Sequence, residues 1–143
     1  MRIRTLNHCT YQNQYHIVWG TRYHRKFLKE YTKAPLSKSI KETIEKYPNL
    51  YLIKVNVGGS HVHIQIEIPP NIAVCKAVQV LKQNSSIALK KRFKFIKEMY
   101  LEGNIWSVGY FSSTIGVNEE IIKRYIDQQS EDDIAKPSKL EFS

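Results

Sequence analysis

The chain has 143 residues, 42% of them hydrophobic and 24% charged, which fits one folded domain around one core. No run approaches the ~20 apolar residues of a membrane span, and residues 1–10 carry Arg2 and Arg4 but no apolar run, so neither a span nor a secretory leader is expected. Twenty-two Lys and Arg against thirteen Asp and Glu give a charge of +9, a balance that attracts polyanions, nucleic acid above all.

Residues 15–21, Tyr-His-Ile-Val-Trp-Gly-Thr, are β-branched and aromatic and predict a first strand. A basic and aromatic connection follows to Lys33. Leu36, Ile40, Ile44 and Tyr47 recur at helical spacing, predicting a helix over 35–47 with Pro35 in its first turn and Pro48 as its stop. Residues 50–57 predict a second strand, Gly58-Gly59-Ser60 a tight turn, and 61–68 a third strand ended by Pro69-Pro70. A helix is expected over 72–89, burying Val74, Val78, Leu81, Ser85 and Ala88, with a bend possible at Asn84-Ser85-Ser86. Residues 90–97 are basic around Phe93 and Phe95, and 105–113 predict a fourth strand. Asn118 is a suitable N-cap for a last helix reaching Gln129, with Glu119 and Glu120 in its first turn. Residues 131–143 are polar and expected to fray. Cys9 and Cys75 are far apart, lack metal-type spacing, and are expected to be free thiols of a cytoplasmic protein.

The order β-α-β-β-α-β predicts an α+β, ferredoxin-like domain over 1–130, with an antiparallel sheet and an added C-terminal helix. One sheet face takes the helices and the other is left for a ligand. That fold serves RNA-binding modules and enzymes alike, so function must come from the site.

Side chains alternate along a strand. His61, His63, Gln65 and Glu67 therefore share one face of the third strand, and Val62, Ile64, Ile66 and Ile68 the other. The apolar set must face the core, so the two histidines point away from it together. Same-face neighbours lie roughly 7 Å apart at Cα, close enough for two imidazoles to share one transition-type ion. Two ligands are too few for a metal site. Glu67 and the last helix are the places to seek a third. On that helix Tyr125 and Gln129 are four apart and lie on one face.

Taken together, four segments resemble the single-tyrosine transposases of the IS200/IS605 type, the HUH enzymes called TnpA. These are Tyr15-His16-Ile17-Val18-Trp19 with the basic Arg22-Tyr23-His24-Arg25; the His61-Val62-His63 motif; the strand and turn from Trp106 to Gly116; and Tyr125 followed by Gln129. They span roughly residues 8–130. The chain departs at Ser60, where many relatives carry Asp, which puts support of the His61 ring in question rather than its role as a ligand.

The resemblance implies Mg or Mn held by His61, His63 and Gln129. It implies that Tyr125 attacks a phosphate of single-stranded DNA, forms a 5′-phosphotyrosine and frees a 3′ hydroxyl, and that a second 3′ hydroxyl reseals the strand. No nucleotide cofactor is needed, in keeping with the lack of a Walker-type glycine-rich loop. It further implies recognition of hairpins at the ends of the element, and a homodimer. Candidate DNA contacts are Arg22, Tyr23, Arg25 and Lys26 in one cluster and Lys82, Lys90, Lys91, Arg92 and Lys94 in another, cations for phosphates and rings for unpaired bases. The competing readings are a REP-associated tyrosine transposase or nickase of the same chemistry, a non-catalytic nucleic-acid-binding module, an inactive remnant, and a HIT-type nucleotide hydrolase. That last motif wants a third histidine where this chain has Gln65.

Overall fold

The computed structural model describes residues 4–6, 9–11 and 13–114. A short hairpin, β1 (Arg4–Leu6) with β2 (Cys9–Tyr11), leads into β3 (Gln14–Gly20). A 3-10 turn at Arg22–His24 and helix α1 (Glu30–Glu45) carry the chain to β4 (Tyr51–Val57), which turns tightly into β5 (His61–Glu67). Helices α2 (Val74–Arg92) and α3 (Lys94–Met99) then lead to β6 (Phe111–Thr114). The main sheet has four strands in the order β4-β5-β3-β6, each pair antiparallel. Each helical crossover thus joins strands separated by one neighbour, which is the ferredoxin-like order.

The alternation in β5 places the core. Val62, Ile64 and Ile66 have no exposed surface, and Ile17 and Trp19 of β3 join them on the same face. Against that face pack Leu36, Ile40 and Ile44 of α1 and Ala77, Val78, Leu81 and Leu89 of α2. Each such buried Val, Leu or Ile side chain stabilises the fold by roughly 1.5–3 kcal/mol. The layers are helices on one side, the sheet, and the histidine face beyond.

Three elements differ from the sequence expectation. Helix α1 begins at Glu30, five residues before Pro35, which lies inside it. Its buried stripe starts at polar Thr32, whose hydroxyl donates to the Lys29 carbonyl at 2.7 Å, so no apolar signal marks the first turn. Proline costs the helix one donor there, but its fixed φ is helical.

Helix α2 runs unbroken through Asn84-Ser85-Ser86 because those side chains have partners on or beside the helix. The Ser85 hydroxyl donates to the Leu81 carbonyl at 2.7 Å and accepts the Trp106 indole N–H at 2.9 Å. The Ser86 hydroxyl accepts the Ile105 amide at 3.1 Å, and the Asn84 amide reaches Thr43 of α1 at 3.3 Å. Its buried stripe is Ala77, Val78, Leu81, Ser85, Ser86 and Leu89, so Val74 and Ala88 sit at its margins. The basic run that follows contains the short α3.

The strand expected over 105–113 is shorter. Gly109 takes a left-handed backbone (φ 96°), and only Phe111–Thr114 pair with β3. Upstream, Trp106 makes a single bridge to Thr21 and is otherwise a packing residue, its ring edge-on to Trp19 at 5.9 Å. The expected last helix with Tyr125 and Gln129, and the tail over 131–143, lie outside the described residues. Among the described residues no helix is long and apolar enough to cross a membrane.

Candidate functional site

The pairing register fixes what faces away from the helices. His61 lies opposite Gly20, His63 opposite Val18 on one side and Asn56 on the other, and Gln65 between His16 and Lys54. His16, His61 and His63 therefore share the sheet face opposite α1 and α2. That face is not bare solvent: Gln14, Val18, Glu67, Phe111 and Ser113 are buried there, and both predicted ligand histidines are half-buried.

His61 opens β5, just after the Gly58-Gly59-Ser60 turn. The Gly58 amide donates to the His61 carbonyl at 2.8 Å, and the imidazole lies over Gly58, where an added Cβ would come within 2.6 Å of the ring. The glycine is thus a bed for the His61 imidazole. The ring's Nδ1 is buried and has no hydrogen-bond partner among the described residues. His63 is different. Its Nε2 lies 3.0 Å from Nδ1 of His16, one ring donating and the other accepting, and the two imidazoles stack at 5.2 Å.

Burial lowers the pKa of His61. His63 is pushed down to about 4, first by burial and then by the positive charges that His16, Lys54 and His61 would carry. Both rings are therefore neutral near pH 7, the form that ligates a cation.

Two neutral imidazoles side by side, one with an orphaned buried nitrogen, fit a divalent ion. Among the described residues no group of three or more His, Cys, Asp or Glu side chains is gathered for a metal, so an ion at this pair would need a further ligand of another kind or from outside them. Glu67 does not supply it. It is fully buried beside Gln14 and Tyr51, four residues along β5 from His63, roughly 13 Å at a strand's rise. Gln129 and the candidate nucleophile Tyr125 lie outside the described residues.

The two basic clusters converge on Gly103 (φ 82°). The Lys90 ammonium donates to its carbonyl at 2.7 Å, and Arg22 Nη1 lies 2.8 Å from where a Cβ would stand. Tyr23, Arg25 and Lys26 are exposed, as are Lys91, Arg92 and Lys94, the last 3.8 Å from Glu98. Lys82 is half-buried and donates to the carbonyls of Ser107 at 2.7 Å and Gly109 at 3.1 Å, with its pKa lowered by burial. A phosphate would have to compete with those carbonyls for it. A groove of about 600 Å³ between α2 and residues 103–110 is lined by Lys82, Trp106 and Tyr110 and contains neither histidine. Cys75 on its rim is a free, exposed thiol.

The sequence does not fix the face of His16, which depends on the strand register. The register now places it against His63. Lys54 and Gly58 gave no signal of their own; only their positions across from and below the histidines reveal them.

The chain is similar in sequence and in fold to known proteins. A family model described as "Transposase IS200 like" matches residues 9–129. The transposases for insertion sequence element IS200 of Salmonella typhimurium (strain LT2) and of Salmonella typhi are each 28% identical over 130 residues, covering 91% of this chain and 85% of theirs. The crystal structure of a candidate transposase from Deinococcus radiodurans R1 superposes with a TM-score of 0.74 at 24% identity, covering 88% of this chain and 97% of the other. A REP-associated tyrosine transposase bound to a REP hairpin superposes with a TM-score of 0.58 at 15% identity, over 91% of this chain and 74% of that one. At those identities the two structures speak for the fold, and the family match carries the assignment: this chain belongs to the IS200-like transposase family.

Proposed function

We propose that this transposase cuts and rejoins single-stranded DNA by transesterification, with Tyr125 as nucleophile and a divalent cation, Mg or Mn, held by His61, His63 and Gln129. The observation that carries the proposal is the pair of neutral, half-buried imidazoles on one strand, one of them with an unpartnered buried nitrogen.

In the first step the Tyr125 hydroxyl oxygen bonds to phosphorus, the bond from phosphorus to the 3′ oxygen breaks, and that oxygen leaves as a 3′ hydroxyl after taking up a proton. In the second, another 3′ hydroxyl attacks the phosphotyrosine and returns the proton to Tyr125. One phosphodiester replaces another, so no nucleotide is consumed. When bound, the cation supplies positive charge to the phosphate under attack. The chain supplies neutral ligands, which leave that charge undiminished, and β5 sets the spacing of two of them, His61 and His63. Gly58 seats His61, and His16 braces His63.

Single-stranded DNA with hairpin ends is the proposed substrate, supported by the basic clusters and by the hairpin bound to the REP-associated relative. A homodimer is the proposed working form. The REP-associated enzymes offer a second reading with the same chemistry, favoured by that same fold match. The test is cleavage of 5′- and 3′-labelled hairpin-bearing strands from the protein's own genomic flanks. The proposal expects a free 3′ hydroxyl on one product, protein on the other, and loss of both in His61→Ala and His63→Ala. Tight binding without any cut, with Mg and with Mn, would instead make the chain a binding module.

A further inference from the structure

The chain leaves β3 at Gly20 and enters the 3-10 turn at Arg22–His24 beside the turn that carries His61. The Thr21 amide donates to the Ser60 carbonyl at 2.9 Å and the Leu28 amide to the Gly59 carbonyl at 3.1 Å. Between those anchors Tyr23 and His24 both hold left-handed backbones, φ 63° and 56°. That region is uncommon for residues other than glycine, and two in succession are held only because the surroundings fix them. The Tyr100 hydroxyl donates to the Arg22 carbonyl at 2.5 Å, the Thr21 hydroxyl to the Arg25 carbonyl at 2.8 Å, and the Arg25 guanidinium to the Met99 carbonyl at 3.1 Å.

The result of this bracing is an exposed aromatic ring. Tyr23 is 63% exposed although the backbone around it is pinned. It lies nearly parallel (10°) to buried Tyr100 at 6.5 Å. The Arg22 and Arg25 guanidinium carbons stand 5.1 and 5.3 Å from its centre. A tyrosine that served only to pack would turn this ring inward; here the strained backbone presents it to solvent with two guanidinium groups close to it. Single-stranded nucleic acid is bound by that combination, a ring for the base and cations for its phosphates.

We propose that Tyr23 is a stacking platform for one unpaired base of single-stranded DNA, with Arg22 and Arg25 neutralising the phosphates on either side of that base. The loop that carries the platform is tied to the turn before His61 by the Thr21–Ser60 and Leu28–Gly59 hydrogen bonds. The inference rests on the strand-exchange reading for the identity of the ligand.

Binding is measured by fluorescence anisotropy with the full chain carrying Tyr125→Phe as parent, so that no strand is cut. The ligands are the single-stranded flank and a series with one abasic site at each position in turn. Tyr23→Ala and Tyr23→Leu should weaken binding about tenfold, while Tyr23→Phe binds like the parent, since a stacked base is worth ~1–3 kcal/mol. One abasic position should weaken the parent by a similar factor and leave Tyr23→Ala unaffected. Tyr23→Gly relieves the left-handed backbone, so it should melt no lower than the parent and yet lose the same affinity. Parent-like affinity in Tyr23→Ala, or equal abasic losses in parent and variant, would overturn the platform. Absence of any single-strand binding by the parent would overturn the proposed function itself, and the platform with it.

Discussion

Gly58→Ala separates the histidine site from the fold. A Cβ at Gly58 would stand 2.6, 2.9 and 3.1 Å from three atoms of the His61 ring, against 3.4 Å or more for an ordinary contact. The ring must therefore retreat by about 0.8 Å (3.4 less 2.6) at its nearest atom. Gly58 does not need a left-handed backbone, and the clash is with the end of a side chain, so the strand turn itself is expected to survive. Stability should change by less than about 1 kcal/mol, as for other substitutions that leave core and backbone intact. Placement of catalytic groups is less forgiving, and an error of ~1 Å can cost on the order of 100-fold in rate. The assay pairs urea denaturation with Mn binding by electron paramagnetic resonance and with single-strand cleavage. The expected outcome is a near-normal midpoint, Mn affinity down at least tenfold, and cleavage down by a factor nearing that of His61→Ala. Unchanged Mn affinity and cleavage in Gly58→Ala, with His61→Ala inactive, would refute the idea that Gly58 seats the ligand.

Two further outcomes bear on the scaffold. Ser85→Ala leaves the buried Trp106 indole N–H, now 2.9 Å from the Ser85 hydroxyl, without its acceptor, and should cost about 1–3 kcal/mol in urea unfolding; a loss under about 0.5 kcal/mol would mean the bond does not pin the 105–110 segment. In metal-free protein His63 should stay neutral down to about pH 4, read from its imidazole resonances in NMR, and a midpoint near 6.5 would contradict the burial argument. The sign follows from proton counts. Between the unfolded value of ~6.5 and about 4 the unfolded chain binds the extra proton, so stability falls as pH drops through that window. Because the ring is only partly buried, solvent screening keeps the slope well under ~1.4 kcal/mol per pH unit.

The elements legible in the sequence are those whose burial pattern is one-sided. β5 alternates strictly, and its apolar set proved to be the core. α2 is legible from Val78, Leu81 and Ser85 on its buried face, but Asn84-Ser85-Ser86 also reads as a bend because a sequence does not show that the two serine hydroxyls face Trp106 and Ile105. The hairpin of β1 and β2 has strands of three residues, too short to carry a period. The 105–113 segment reads as one strand because buried Ile105, Trp106 and Phe111 mimic strand composition, although Gly109 breaks the pairing.

The candidate site was legible to a similar degree. The period alone puts His61 and His63 on one face and the motif resemblance proposes them as ligands, whereas His16 needed the register and Gly58 needed the ring's position. Nothing in Tyr23-His24 announces a left-handed turn, since glycine or asparagine usually marks one, so the exposed ring emerged only with the backbone. Tyr125 and Gln129 rest on the motif resemblance and on a family match that reaches residue 129.

The proposed strand exchange stands on a covalent bond between Tyr125 and the 5′ phosphate of a cut strand. Labelled single-stranded DNA from the genomic flanks is incubated with the protein and Mg or Mn, denatured, and the adduct digested and mapped by mass spectrometry. A phosphodinucleotide on the Tyr125 peptide, lost in Tyr125→Phe and with a chelator, is the expected result. Cleavage that persists in Tyr125→Phe, or an adduct on another residue, would contradict the account.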